Sequence, residues 1–72
     1  MKTPRNASGE DVVKILCKNG WHCHKQRGSH MLLVNESGQF LQVPMHDALK
    51  PGTLESIMDK SGISREDFIA KL

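Results

Sequence analysis

Trp21-His22-Cys23-His24-Lys25-Gln26-Arg27-Gly28-Ser29-His30-Met31-Leu32-Leu33-Val34 is the stretch that decides how this chain folds. Trp21 to Lys25 alternates in size and polarity, which predicts a strand with Trp21 and Cys23 on one side and His22 and His24 on the other. Met31 to Val34 predicts a second strand, apolar on both parities, so alternation does not assign its faces. Between them the chain has to turn near Arg27-Gly28-Ser29. That turn gathers a cation, a glycine-permitted bend, a hydroxyl and the imidazole of His30 in one corner.

The flanking segments read as scaffold for this corner. On the amino-terminal side, Ser8 and Asp11 form a capping pair, and Val12, Ile15 and Leu16 fall on one helical face with Lys14 and Lys18 turned to water. Gly20 is suited to ending that helix, which is predicted from about Gly9 to Asn19. On the carboxyl side, Asn35-Glu36-Ser37-Gly38 supplies a turn, and Gln39 to Val43 supplies a third strand that Pro44 helps to end. Met45 to Leu49 is irregular, Pro51 opens a second helix with a Leu54, Ile57 and Met58 stripe, and Ser61-Gly62 interrupts it. Ser64 with Asp67 is a second capping pair, with Ile63 set to pack on Phe68 in a short helix running to about Leu72. The fold class is therefore α+β: helix, three-stranded antiparallel meander, helix and short carboxyl-terminal helix, with one sheet face covered and the other open.

Composition narrows the possibilities. A chain of 72 residues makes one domain, residues 1–72, with a modest core and no room for a separate cofactor fold. Ten Lys and Arg against eight Asp and Glu give a formal charge of +2, which permits nucleic-acid contact without establishing it. Cys17 and Cys23 are too far apart in sequence for a redox Cys-x-x-Cys and are expected as buried thiols in a reducing compartment. No apolar run follows Met1-Lys2-Thr3-Pro4-Arg5-Asn6, and Met31 to Val34 is far too short to span a bilayer. The expectation is a cytoplasmic protein with no membrane partner.

Gly20-Trp21, Gly28-Ser29-His30, Val43-Pro44-Met45-His46, Lys50-Pro51-Gly52-Thr53-Leu54 with Ile57, and Gly62-Ile63-Ser64-Arg65-Glu66-Asp67-Phe68 occur here in that order. Each motif is weak alone, but together, from Ser8 to Phe68, they closely resemble the HicA (YcfA-like) family of toxin ribonucleases. The resemblance implies a double-stranded-RNA-binding-domain-like fold. It also implies a messenger-RNA endoribonuclease held inactive by a HicB-like antitoxin protein, and His30 as the catalytic residue. One departure stands out: the family usually has a basic residue inside its Pro-x-His element, where this chain has Met45. Lys25, Arg27 or Lys50 would then carry more of the phosphate binding.

An imidazole suits RNA cleavage because it titrates near neutrality, as a base on a ribose 2′-hydroxyl or as an acid on the leaving oxygen. The sequence leaves both roles open for His30. Lys25 and Arg27 are the nearest cations to hold a phosphate, Gly28 permits close backbone approach, and Ser29 offers a hydroxyl. His46 is read either as an RNA-contacting residue or as a loop cap near the next helix. His22-Cys23-His24 carries zinc-type donors, but neighbouring strand residues face opposite ways and no fourth ligand is evident. No metal and no cofactor are expected. The competing expectations are a non-catalytic RNA-binding module on the same exposed face, for which a hairpin-bonding His30 suffices, and a pure protein-interaction domain.

Overall fold

A computed structural model describes residues 7–72. The amino-terminal stretch 1–6, read above as lacking a targeting segment, lies outside the described residues. The elements are α1 (Gly9–Cys17), β1 (Trp21–Arg27), β2 (His30–Asn35), β3 (Phe40–Pro44), α2 (Pro51–Ser61) and α3 (Arg65–Ala70). The strands form one antiparallel sheet in the order β1-β2-β3, so the α+β order expected from periodicity is the one observed. Among the described residues no helix is long and apolar enough to cross a membrane.

Local chemistry sets the helix ends. The Ser8 hydroxyl accepts from the Asp11 amide at 3.1 Å, and the Asp11 carboxylate accepts from the Ser8 amide at 3.4 Å, a complete capping box. α1 ends at Cys17, close to its predicted end, and beyond it the Asn19 side chain turns back and donates to the Ile15 carbonyl at 2.7 Å. Lys50 precedes Pro51 at the start of α2, and Gly62 closes that helix. The Ser64 hydroxyl accepts from the Asp67 amide at 3.2 Å, and α3 then runs only to Ala70 rather than to Leu72.

Val12, Ile15 and Leu16 of α1, Leu54, Ile57 and Met58 of α2, and Phe68 of α3 converge on Trp21, Leu33, Leu41 and Val43 of the sheet. A fully buried side chain of this size contributes about 1.5–3 kcal/mol from water exclusion, so this one cluster dominates the fold's stability. Trp21 joins Phe68 as an aromatic of that core, and its indole N–H donates to the Ser61 carbonyl at 3.1 Å. The bond joins the start of β1 to the end of α2 across forty residues. Ser61, the buried polar residue, is itself satisfied: its hydroxyl donates to the Met58 carbonyl and accepts from the Ile63 amide.

The cysteines correct an expectation. Cys17 and Cys23 are exposed rather than buried, with their sulfurs 3.7 Å apart. Cys17 is the last residue of α1, one position past the buried Leu16 and outside the buried set of Val12, Ile15 and Leu16. Partial desolvation, together with the neighbouring Cys23 sulfur, raises the Cys17 thiol above its ordinary pKa.

Among the described glycines, Gly9 at the amino end of α1 is the one without room for a side chain. A Cβ at Gly9 would stand 2.1 Å from the Pro44 carbonyl oxygen and 2.8 Å from the Met45 Cα, both backbone atoms that cannot swing aside. Gly9→Ala is expected to destabilise the fold by roughly 1–3 kcal/mol, as overpacking does. Gly52→Ala, which meets open space in α2, is expected to be neutral or stabilising by up to about 1 kcal/mol. Equal thermal melting of these two variants would contradict the close packing of α1 on the exit of β3.

Candidate active site

Gly28 and Ser29 alone connect β1 to β2, so the turn is a two-residue hairpin loop with Arg27 paired to His30. Gly28 has φ of 55°, while no non-glycine residue takes positive φ among the described residues. Positive φ at the first central position alone marks a II′-type turn, which favours glycine there and matches the twist of the strands. The Gln26 side-chain amide donates to the Gly28 carbonyl at 3.1 Å. On the far side of the corner, the Met45 amide donates to the Ser29 carbonyl at 2.6 Å. That bond joins the Gly28-Ser29-His30 turn to the segment Pro44-Met45-His46.

Which way the cations face depends on an irregularity in β1. Cys23 pairs with Leu33, but Lys25 pairs with Leu32, so His24 is an extra residue in the ladder. Strict alternation would have sent Lys25 and Arg27 to the side of Trp21 and Cys23, against the helices. The bulge flips the parity after His24, and the register then sets Lys25 opposite Leu32 and Arg27 opposite His30 on the open face. Leu32 and His30 in turn pair with Gln42 and Pro44 of β3. The His24 ring stays on this face too, at 5.6 Å from the Phe40 ring in an edge contact. Directly opposed side chains on one face have Cβ atoms about 4.5–5.5 Å apart, so Arg27 and His30 are immediate neighbours. Both are exposed, as are Lys25 and Ser29.

His30 also stands at one end of a groove of about 690 Å³ between β3 and α2. The sheet contributes Leu32, Phe40 and Gln42, and α2 contributes Thr53, Ser56 and Lys60. No carboxylate lines it. These residues were not among the candidates read from sequence, although Thr53, Ser56 and Lys60 recur at three- and seven-residue spacing on one face of α2, beside its apolar stripe.

Of the candidates read from sequence, His30 lines the groove, while Lys25, Arg27, Gly28, Ser29, His46 and Lys50 lie outside its lining. His46 is exposed, and its carbonyl accepts from the Gly9 amide at 3.0 Å, so its backbone caps α1 rather than its side chain capping the next helix. Lys50 is exposed in the position before Pro51 of α2. Met45, half-buried, packs against the core, which accounts for an apolar residue between Pro44 and His46. Among the described residues no three His, Cys, Asp or Glu side chains converge as metal ligands, and the register puts Cys23 on the opposite face from His22.

A family model described as the HicA toxin of bacterial toxin-antitoxin systems matches residues 9–63. The chain belongs to the HicA toxin family. The matched span runs from the first residue of α1 through the whole sheet and α2, and so contains every candidate residue named above. This HicA chain has the role of a toxin in a toxin-antitoxin system, and membership implies a cognate antitoxin as its partner. No curated protein matches the chain.

The bulge can be tested without reference to activity. Deleting His24 removes the extra residue and leaves Lys25 opposite Leu32 and Arg27 opposite His30 in an unbroken ladder, whereas His24→Ala keeps the bulge on the same register. The deletion is expected to melt close to the alanine variant. Much lower melting of the deletion would contradict the assignment of His24 as the extra residue.

Proposed function

We propose that this HicA toxin is a metal-independent endoribonuclease that cuts single-stranded messenger RNA in the cytoplasm, held inactive by a HicB-like antitoxin. The observation that supports it most directly is the placing of His30: exposed, next to Arg27 across the turn, and at the end of a groove without carboxylates. A groove that carries Lys60 and no carboxylate, beside basic residues, accepts a polyanion without charge repulsion.

The reaction that fits an imidazole and two cations is transfer of the phosphate within the RNA. The ribose O2′ loses its proton and bonds to phosphorus, and the bond from phosphorus to O5′ breaks. The products are a 2′,3′-cyclic phosphate and a 5′-hydroxyl, and the chemistry selects RNA because DNA lacks the attacking oxygen. His30 takes the O2′ proton, or in the other assignment gives one to O5′. Arg27, with its planar fork of donors, and Lys25 neutralise the phosphate as charge builds on its oxygens. Gly28 lets the backbone approach, the Ser29 hydroxyl orients His30 or a phosphate oxygen, and His46 and Lys50 contact the RNA farther along.

The purified chain is expected to cleave end-labelled single-stranded RNA in the presence of EDTA and leave cyclic-phosphate ends. His30→Ala is expected to lose about 10²- to 10⁴-fold in rate while melting normally. Arg27→Ala is expected to reduce the slope of log affinity against log salt by about 0.7, the loss of one single-strand phosphate contact. Equal cleavage by the parent and His30→Ala would remove His30 from the reaction. RNA binding without cleavage by the parent chain would leave a non-catalytic RNA-binding module.

A further inference from the structure

The groove between β3 and α2 has features that cleavage at His30 does not require. It extends from His30, opposite Pro44, to Phe40, opposite Val34, four strand residues or about 13 Å along the sheet. Its volume lies within the range typical of small-ligand sites. The two walls differ in chemistry. The sheet wall offers apolar Leu32 and Phe40 with one amide, Gln42, between them. The α2 wall offers two hydroxyls, Thr53 and Ser56, and the ammonium of Lys60.

Phe40 is the odd residue in this set. It is 57% exposed, the most exposed large apolar side chain among the described residues, while its strand neighbours Leu41 and Val43 are buried. Its contact with His24 is edge-on, with ring planes at 68°, and such a pair engages at most one face of either ring. An exposed aromatic on an open sheet face, between hydrogen-bonding side chains and a cation, is the arrangement that stacks unpaired nucleobases. Every base has a stacking face, so Phe40 alone gives affinity without choice. Gln42 adds choice, because an amide presents both a donor and an acceptor to a base edge.

We infer that this groove is a nucleotide subsite for the RNA flanking the cut: a base lies on Leu32 and Phe40, Gln42 reads its edge, and Lys60 with Thr53 and Ser56 holds the adjoining phosphate. The inference rests on the ribonuclease reading for its ligand, and it makes Gln42 a specificity-determining residue. Lys60 is the cationic member of the lining, and Asp59 beside it lies outside that lining, so the groove complements an anionic strand. Glu55, the acidic residue one position before Ser56, is engaged by Arg65 at 2.7 Å.

Phe40, Gln42 and Lys60 are exposed, so Phe40→Ala, Gln42→Ala and Lys60→Ala are expected to melt like the parent. Two readouts on the full chain separate the subsite from the ribonuclease reading. The first is the base preference at each position around the cuts made in a random single-stranded RNA pool. Gln42→Ala is expected to relax that preference at one flanking position and leave the others. The second is fluorescence anisotropy of a single-stranded RNA from that pool, with each substitution placed in a His30→Ala background so that no cleavage intervenes. Phe40→Ala is expected to weaken binding about tenfold, the effect of losing one stacked base. Lys60→Glu is expected to weaken it more than Lys60→Ala.

Unchanged preference and unchanged binding in all these variants would overturn the subsite, even if the parent cuts RNA. Weakened binding of the cognate antitoxin alone would overturn it as well, assigning the groove to the protein partner. If the parent binds RNA but does not cut it, the ribonuclease reading fails while the anisotropy still decides the groove. If the parent neither binds nor cuts RNA, both readings fail.

Discussion

The geometry of the site depends on a crowded backbone junction where α1 meets the exit of β3. Position 9 lies so close to Pro44 and Met45 that no Cβ fits, and this proximity lets the Gly9 amide donate to the His46 carbonyl. The Leu49 amide donates to the Ala7 carbonyl nearby, pinning both ends of the irregular segment to the start of α1. The same segment holds the Ser29 carbonyl through the Met45 amide. Leu49 is buried in the core and Met45 packs against it, and each satisfied backbone bond of the segment adds about 0.5–1.5 kcal/mol net. Left unpaired where it is buried, such a group would cost about 1–3 kcal/mol, so these bonds hold the junction in place. The His30 hairpin is thereby fixed from two sides, by its own II′-type turn and by the β3 exit.

A second constraint divides the sheet into a closed and an open face. Burial of Trp21, Leu33, Leu41 and Val43 against the helices supplies the driving force, and it leaves the other face with no apolar demand to meet. The indole N–H of Trp21 requires a buried acceptor, and the Ser61 carbonyl is the one it finds. That bond sets the carboxyl end of α2 against the start of β1, and Ile57 is then shared between the core and the groove beside β3. The polar stripe of α2 consequently borders the open face instead of bulk water alone. Structure and chemistry meet at this point: the face that folding does not use is the one carrying His30, Arg27, Lys25 and Gln42.

Much of this was legible in the chain itself. Ser8 with Asp11, the two apolar helical stripes, and Asn35 to Gly38 between two strand-forming runs state the element order through local chemistry. The family was legible from the ordered motifs around Gly28-Ser29-His30 and Pro44-Met45-His46. The bulge was not, because an extra residue in a ladder changes no composition and shows only when two strands are paired. For the same reason alternation alone would have misplaced Lys25 and Arg27. The groove was hidden for another reason: Gln42 and Lys60 become neighbours of one cavity only through the packing of α2 on β3, which no local pattern encodes. The Cys17 and Cys23 thiols were read as buried from residue type alone, whereas both are exposed and lie side by side.

The central claim is that the ribose 2′-oxygen is the nucleophile and that a side chain at the hairpin corner moves its proton. The most direct test offers the chain one oligonucleotide sequence in two forms, as RNA and with every ribose 2′-O-methylated. The account predicts that both bind and that only the unmodified RNA is cut, leaving a 2′,3′-cyclic phosphate. Cleavage of the methylated strand would contradict it, because no free 2′-hydroxyl would remain to attack.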